Sequence, residues 1–110
     1  MEAFELEELE ARRAASGRRY LEFQRSADLS TGLYVLPAGG VDPQQPHGED
    51  EVYVVMAGRA TIRVGTEERA VRAGSVVFVA AGVEHRFYNI AEELRVIVAF
   101  GPAEGSHAAG

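Results

Sequence analysis

The chain reads as an all-β protein, an antiparallel sandwich or barrel, with one short helix at its N-terminus. Three observations predict this. Short apolar segments recur at close, regular spacing, about nine of them between residues 20 and 100, with glycines at the breaks. Several alternate polar and apolar residues with the period of two that a half-buried strand requires, as in Ala60-Thr61-Ile62-Arg63-Val64. The helical pattern is confined to the residues before Gly17, after which the pattern changes to short strands.

Residues 4–15 predict the helix. Leu6 and Leu9, with Phe4, give an incomplete apolar stripe. Acids crowd its first half and Arg12 and Arg13 follow, which suits the helix dipole. Gly17 supplies the stop. A helix of this kind is expected to pack on the outside of the domain. Residues 20–25 alternate only in part. Residues 31–36 form the next strand and end at Pro37, with Gly39 and Gly40 as a turn. Residues 42–47 carry Pro43 and Pro46, which remove ladder donors, so this piece predicts an edge or irregular strand. Residues 51–56 read as a strand and Ala57-Gly58 as a turn. Residues 60–64 turn at Gly65, and residues 68–72 turn at Ala73-Gly74. Val76–Val79 is a near-continuous apolar run, consistent with a strand buried on both faces or lying between two sheets. Residues 85–90 and 94–100 complete the set. The expected organisation is a helical segment over 1–17, a barrel over 18–101 and a flexible tail rich in Gly and Ala over 102–110. His107 lies in that tail and is assigned no role.

Composition narrows the function. A chain of 110 residues is one domain, and 46% hydrophobic with 25% charged residues is ordinary for a globular protein. The net charge is −6 without a basic cluster, which argues against nucleic acid as a partner. There is no cysteine, so disulfides, thiolate catalysis and cysteine zinc sites are excluded. Every basic residue is arginine, which excludes a lysine Schiff base. The start, Met1-Glu2-Ala3-Phe4-Glu5, is acidic and lacks the apolar core of a signal peptide. No apolar run has the length of a membrane span. A cytoplasmic location is the expectation.

The chemistry concentrates in Gln45-Pro46-His47-Gly48-Glu49-Asp50-Glu51 and around His85. His47 and Glu51 are strong metal-ligand types four residues apart. Gln45, His47, Glu51 and Tyr53 are all at odd positions and share one face if the register holds through residues 48–50. His85 and Phe87 share a face of their own strand. Two imidazoles and one carboxylate with open positions suit one divalent transition metal: Fe, Mn, Ni, Co or Zn. The amide oxygen of Gln45 is a candidate fourth, weaker ligand. Tyr53 and Phe87 are candidate pocket-lining residues. Glu49 and Asp50 are expected to face water, and Arg86 and Arg95 to pair with nearby acids at the surface.

These residues resemble the two motifs of the cupin family. The first, G(X)5HXH(X)3-4E(X)6G, reads here as Gly39, Gln45, His47, Glu51 and Gly58 at the motif spacings. The second, G(X)5PXG(X)2H(X)3N, reads as Gly74, Ala80, Gly82, His85 and Asn89. Two positions depart: Gln45 stands in place of the first histidine and Ala80 in place of the proline. An amide oxygen is a poorer transition-metal ligand than imidazole. The resemblance implies a double-stranded β-helix, or jelly-roll, barrel of the small single-domain bacterial conserved-barrel type. It further implies metal binding by His47, Glu51 and His85, with dioxygenase, isomerase or decarboxylase activity on a small molecule, and a homodimer. The fold hosts many activities. A non-catalytic cupin that binds or senses a small molecule with weak or no metal is the alternative, favoured by Gln45. A purely structural dimerisation domain is the third.

Overall fold

Two long strands carry most of the architecture. In the computed structural model, which describes residues 1–43 and 46–106, α1 (Leu6–Ser16) is followed by β1 (Tyr20–Arg25), β2 (Ser30–Leu36), β3 (Asp50–Val64), β4 (Glu67–Arg72), β5 (Val76–Val79) and β6 (His85–Gly101). All the strand pairings are antiparallel. The order is β1-β2-β6-β3-β4, with β5 also paired to β3. The all-β jelly-roll class is as the sequence predicts.

The strand count is not. β3 and β6 each read in sequence as two strands, and each is one strand with a bend. Their shared ladder runs from Asp50↔Gly101 to Val64↔His85 and slips register between Val55 and Thr61. Gly58 sits at this slip with φ 92°. A Cβ there would lie 2.2 Å from the Glu93 carbonyl oxygen. The glycine therefore marks a bulge inside a strand, where two backbones touch, and not a turn between strands.

The bend positions the site. Glu51 and Val64 lie thirteen residues apart on β3, about 43 Å along a straight strand. Val64 pairs with His85, yet the His85 and Glu51 side chains are 2.9 Å apart. The ribbon has curled on itself and closed a barrel. Inside it lie Tyr53, Val55, Ile62, Phe87, Leu94, Val96, Val98 and Phe100. Alternation along β3 sends Glu51, Tyr53 and Val55 into this core while Val52, Val54 and Met56 face outward.

A second cluster lies outside the barrel. Leu9 of α1 is buried against Leu33 and Val35, flanked by Leu6, Phe23 and Ile97. The helix thus packs on the outer face, as its single apolar stripe predicts. Arg95 pairs with Glu10 at 2.9 Å and with Glu93 at 3.5 Å, which ties the helix to β6. Arg86 sits over the Tyr88 ring. No helix among the described residues is long and apolar enough to cross a membrane.

Two expectations about burial fail. β5 is not buried on both faces: Val76 and Phe78 are 66% and 61% exposed, and of the four residues only Val79 is buried. Among the described residues β5 has β3 as its strand neighbour and no layer on its outer face. Residues 102–106, expected in the flexible tail, turn back on the barrel. Ala103 is buried, the Glu104 N–H donates to Ser30 Oγ at 2.8 Å, and the Gly105 N–H donates to Glu49 Oε1 at 3.0 Å. Glu49 is accordingly buried, where the sequence suggested a water-facing acid. Its carboxylate satisfies a backbone donor of the returning chain, which composition does not reveal.

Candidate metal centre

The two motif segments are stitched together by backbone before any ligand is considered. The Gly82 N–H donates to the His47 carbonyl at 2.7 Å. The Ala81 N–H donates to Asp50 Oδ1 at 2.9 Å. Upstream, buried Asp42 accepts from Tyr34 Oη at 2.7 Å and from the Phe87 N–H at 2.9 Å. These bonds anchor the proline-rich connection to β2 and β6, so His47 enters the barrel from an irregular segment rather than from a strand.

His47, Glu51 and His85 converge. Their donor atoms all lie within 4.8 Å of one another. His85 Nε2 is 2.9 Å from Glu51 Oε1, and His47 Nε2 is 4.0 Å from the same oxygen. Glu51 is 1% exposed, and neither of its oxygens accepts a hydrogen bond among the described residues. His85 Nδ1 lies 2.9 Å from the Val83 carbonyl. A carbonyl only accepts, so Nδ1 carries a proton; in the neutral imidazole Nε2 then turns its lone pair toward Glu51, and in the imidazolium it donates to Glu51. This explains why a 2.9 Å contact leaves the carboxylate unsatisfied: in the neutral tautomer both atoms are acceptors.

Two occupants relieve that opposition, a proton or a cation. Burial alone pushes the His85 pKa down and is the largest single influence. The Glu51 carboxylate and the Val83 carbonyl together outweigh it, and the net shift is upward. A divalent cation satisfies the geometry as well. The 2.9 Å and 4.0 Å separations are of the order that two ligand atoms, each about 2.1 Å from a shared ion, would adopt. The orphaned carboxylate and the fixed imidazole tautomer fit a metal-ligand set.

Beside the cluster lies a cavity of about 270 Å³, lined by Tyr20, Tyr34, His47, Glu51, Tyr53, Val98, Phe100 and Glu104. Of the residues expected to line a pocket, Tyr53 is on the wall, with its ring edge-to-face with Phe87 at 4.9 Å. Phe87 is in the core behind it and not on the wall. His85 is not on the wall either and meets the site through Glu51. Gln45 lies outside the described residues.

Sequence reasoning missed several residues of the site. Glu104 Oε2 stands 3.9 Å from His47 Nδ1. Burial raises the Glu104 pKa first, His47 draws it back, and the acids Glu22, Glu51 and Glu49 add to the rise. No pattern marks Glu104, which stands two residues after Pro102 in a Gly- and Ala-rich stretch. Val98 and Phe100 were accessible to simple alternation on β6. Tyr20 carried no signal, because β1 alternates poorly.

Comparison with known proteins agrees with this barrel. Residues 32–100 match the Cupin domain family, and the chain belongs to that family. It is 56% identical to an uncharacterized protein of Streptomyces coelicolor over 104 residues, covering 94% of this chain and 99% of that one. Among solved structures it is similar to TT1209 of Thermus thermophilus, with TM-score 0.74 and 26% identity over 94% of this chain and 99% of that one. KdgF of a Halomonas species shares the fold at TM-score 0.69 and 19% identity, over 76% of each chain. So does the DMSP lyase DddQ of Ruegeria pomeroyi, at TM-score 0.66 and 24% identity, over 77% of this chain and 42% of that one.

Proposed function

We propose that this cupin holds one divalent transition metal through His47, Glu51 and His85 and acts on a small molecule in the adjoining cavity, by a dioxygenase- or isomerase-type reaction. One observation carries the reading. A buried carboxylate and two imidazoles converge with donor atoms within 4.8 Å of one another, Glu51 Oε1 standing 2.9 Å from His85 Nε2 and 4.0 Å from His47 Nε2. A buried charge left this way is costly, and a cation removes the cost.

When bound, the metal supplies Lewis-acid polarisation of a ligand oxygen or, if it is iron, oxygen chemistry. The remaining work falls to the chain. The Val83 carbonyl fixes the His85 ring through Nδ1 and leaves Nε2 facing Glu51. Val98, Phe100 and Tyr53 exclude water from the wall that a ligand would contact. Glu104, with its pKa raised by burial, gives the cavity a carboxyl group suited to exchanging a proton with a ligand. Gln45 favours a second reading, a non-catalytic cupin that binds or senses a small molecule with weak or no metal.

The test is to load metal-free protein separately with Fe(II), Mn(II), Co(II), Ni(II) and Zn(II) and screen small hydroxy and keto compounds. The readouts are oxygen uptake and isomerised product. Turnover that needs metal and disappears in Glu51→Ala supports the enzyme. Ligand binding without turnover under any metal supports the binding module instead.

A homodimer belongs to the same proposal. The relative in Streptomyces points to a bacterial setting. The short edge strand β5 presents Val76 and Phe78 to its surroundings, a surface that a second copy would cover.

A further inference from the structure

Tyr20 is placed with care for a residue whose hydroxyl has no hydrogen-bond partner among the described residues. Its hydroxyl is buried. It lines the cavity beside His47, Glu51 and Glu104. Its ring rests on the backbone of β2, where a Cβ on Gly32 would stand 2.2 Å from both Tyr20 Cζ and Tyr20 Oη. Gly32 pairs with Glu22 on one side and Val98 on the other, in a strand interior where glycine is ordinarily a weakness. Here the missing side chain is the space the phenol occupies. The neighbouring Tyr34, edge-to-face with Tyr20 at 6.1 Å, has its hydroxyl committed to Asp42. Tyr20 keeps a free donor in a fixed position.

We propose that Tyr20 orients the ligand of this cavity, its hydroxyl donating to a ligand oxygen while the Glu104 carboxylate accepts from a ligand hydroxyl, so that the site selects a small, neutral, hydroxyl-bearing molecule. The proposal rests on the reading above that the cavity is the ligand site of the metal centre. Charge supports the neutral class. Among the described residues the wall carries two carboxylates, Glu51 and Glu104, and no arginine. Arg25, which reaches the same turn, is engaged at 2.8 Å by Glu22 Oε1 and at 2.8 Å by the Glu104 carbonyl. With Glu51 committed to the dication, an anion would meet the Glu104 carboxylate and no arginine among the described wall residues. Burial, with Glu104, Glu22 and Glu51 nearby, raises the phenol pKa and keeps the hydroxyl a donor. Size sets the rest. A cavity of about 270 Å³ has room for about nine waters at roughly 30 Å³ each and lies below the range of drug-sized sites. Val98, Phe100 and Tyr53 offer an apolar wall to the carbon skeleton of such a ligand.

The experiment titrates xylitol and D-ribose, with glutarate as the anionic counterpart, into zinc-loaded wild type, Tyr20→Phe and Glu104→Gln. Backbone amide shifts are followed by NMR and metal content is measured on every sample. The expected result is that a neutral probe binds wild type at the cavity more tightly than glutarate does. Tyr20→Phe then weakens it at least tenfold with metal content and thermal midpoint unchanged, and Glu104→Gln weakens it as well. Gly32→Ala, which forces the ring off its seat, reproduces the loss with the hydroxyl still present. Preference for glutarate, absence of binding by either neutral probe, or full affinity in Tyr20→Phe overturns the proposal. If wild type retains no zinc, the metal reading fails instead, and the same titration on metal-free protein still scores Tyr20.

Discussion

Glu51 sets the electrostatics of the centre, because its charge is enclosed by the barrel and its oxygens are unsatisfied among the described residues. A metal held at one hundred times its dissociation constant stabilises the fold by about 2.7 kcal/mol. Chelation with EDTA is therefore expected to lower the thermal midpoint of wild type. Glu51→Gln should lose that metal-dependent increment, and without metal, at a pH where His85 is neutral, it should be at least as stable as metal-free wild type, since an amide carries no buried charge. Melts with and without EDTA measure both. A pH dependence follows from His85, whose folded pKa lies above its ordinary value. In metal-free protein its pairing with Glu51 contributes stability that is fully present below about pH 6.5. That contribution is lost as pH rises through the folded pKa. The difference in urea midpoint between wild type and His85→Gln, followed in EDTA from about pH 5.5 to 8.5, should shrink toward high pH. The three metal-ligand candidates were legible because fixed spacing within two short segments identifies them. Glu104, Tyr20 and Asp42 were not. Each reaches the site from a stretch without alternation, and only barrel closure makes it a neighbour.

At the scale of elements, the same glycine that made β3 legible also misled. Gly58 signals a break in the strand pattern, and a break reads as a turn. Its actual role is a bulge pressed against Glu93, with φ 92°. Gly58→Ala should cost roughly 2 kcal/mol or more, from a left-handed backbone position and a backbone clash together; urea unfolding measures it. Asn89 behaves likewise. It occupies a motif position with φ 48°, a conformation that Asn tolerates better than most residues. Part of the motif thus records backbone requirements rather than chemistry. The apolar run of β5 was read as doubly buried because four consecutive apolar residues carry no information about which layer is missing.

For the whole molecule, the class of fold was visible in strand spacing, while its closure was not. Local periodicity does not state that β3 and β6 are continuous or that residues 102–106 return to the barrel. Nor does it identify which apolar face is left uncovered. That face leads to an assembly prediction. Val76→Ser with Phe78→Ser should convert a dimer to a monomer in light scattering after size exclusion, while changing the stability of the protomer little, as exposed substitutions do. A monomeric wild type would remove the dimer. The proposed metal centre is tested most directly by elemental mass spectrometry on untagged protein purified without added metal or chelator, beside His47→Ala and His85→Ala. Close to one equivalent of a single transition metal in wild type, lost in both variants, is the predicted result. Substoichiometric metal that the variants leave unchanged would contradict a metal centre built from His47, Glu51 and His85.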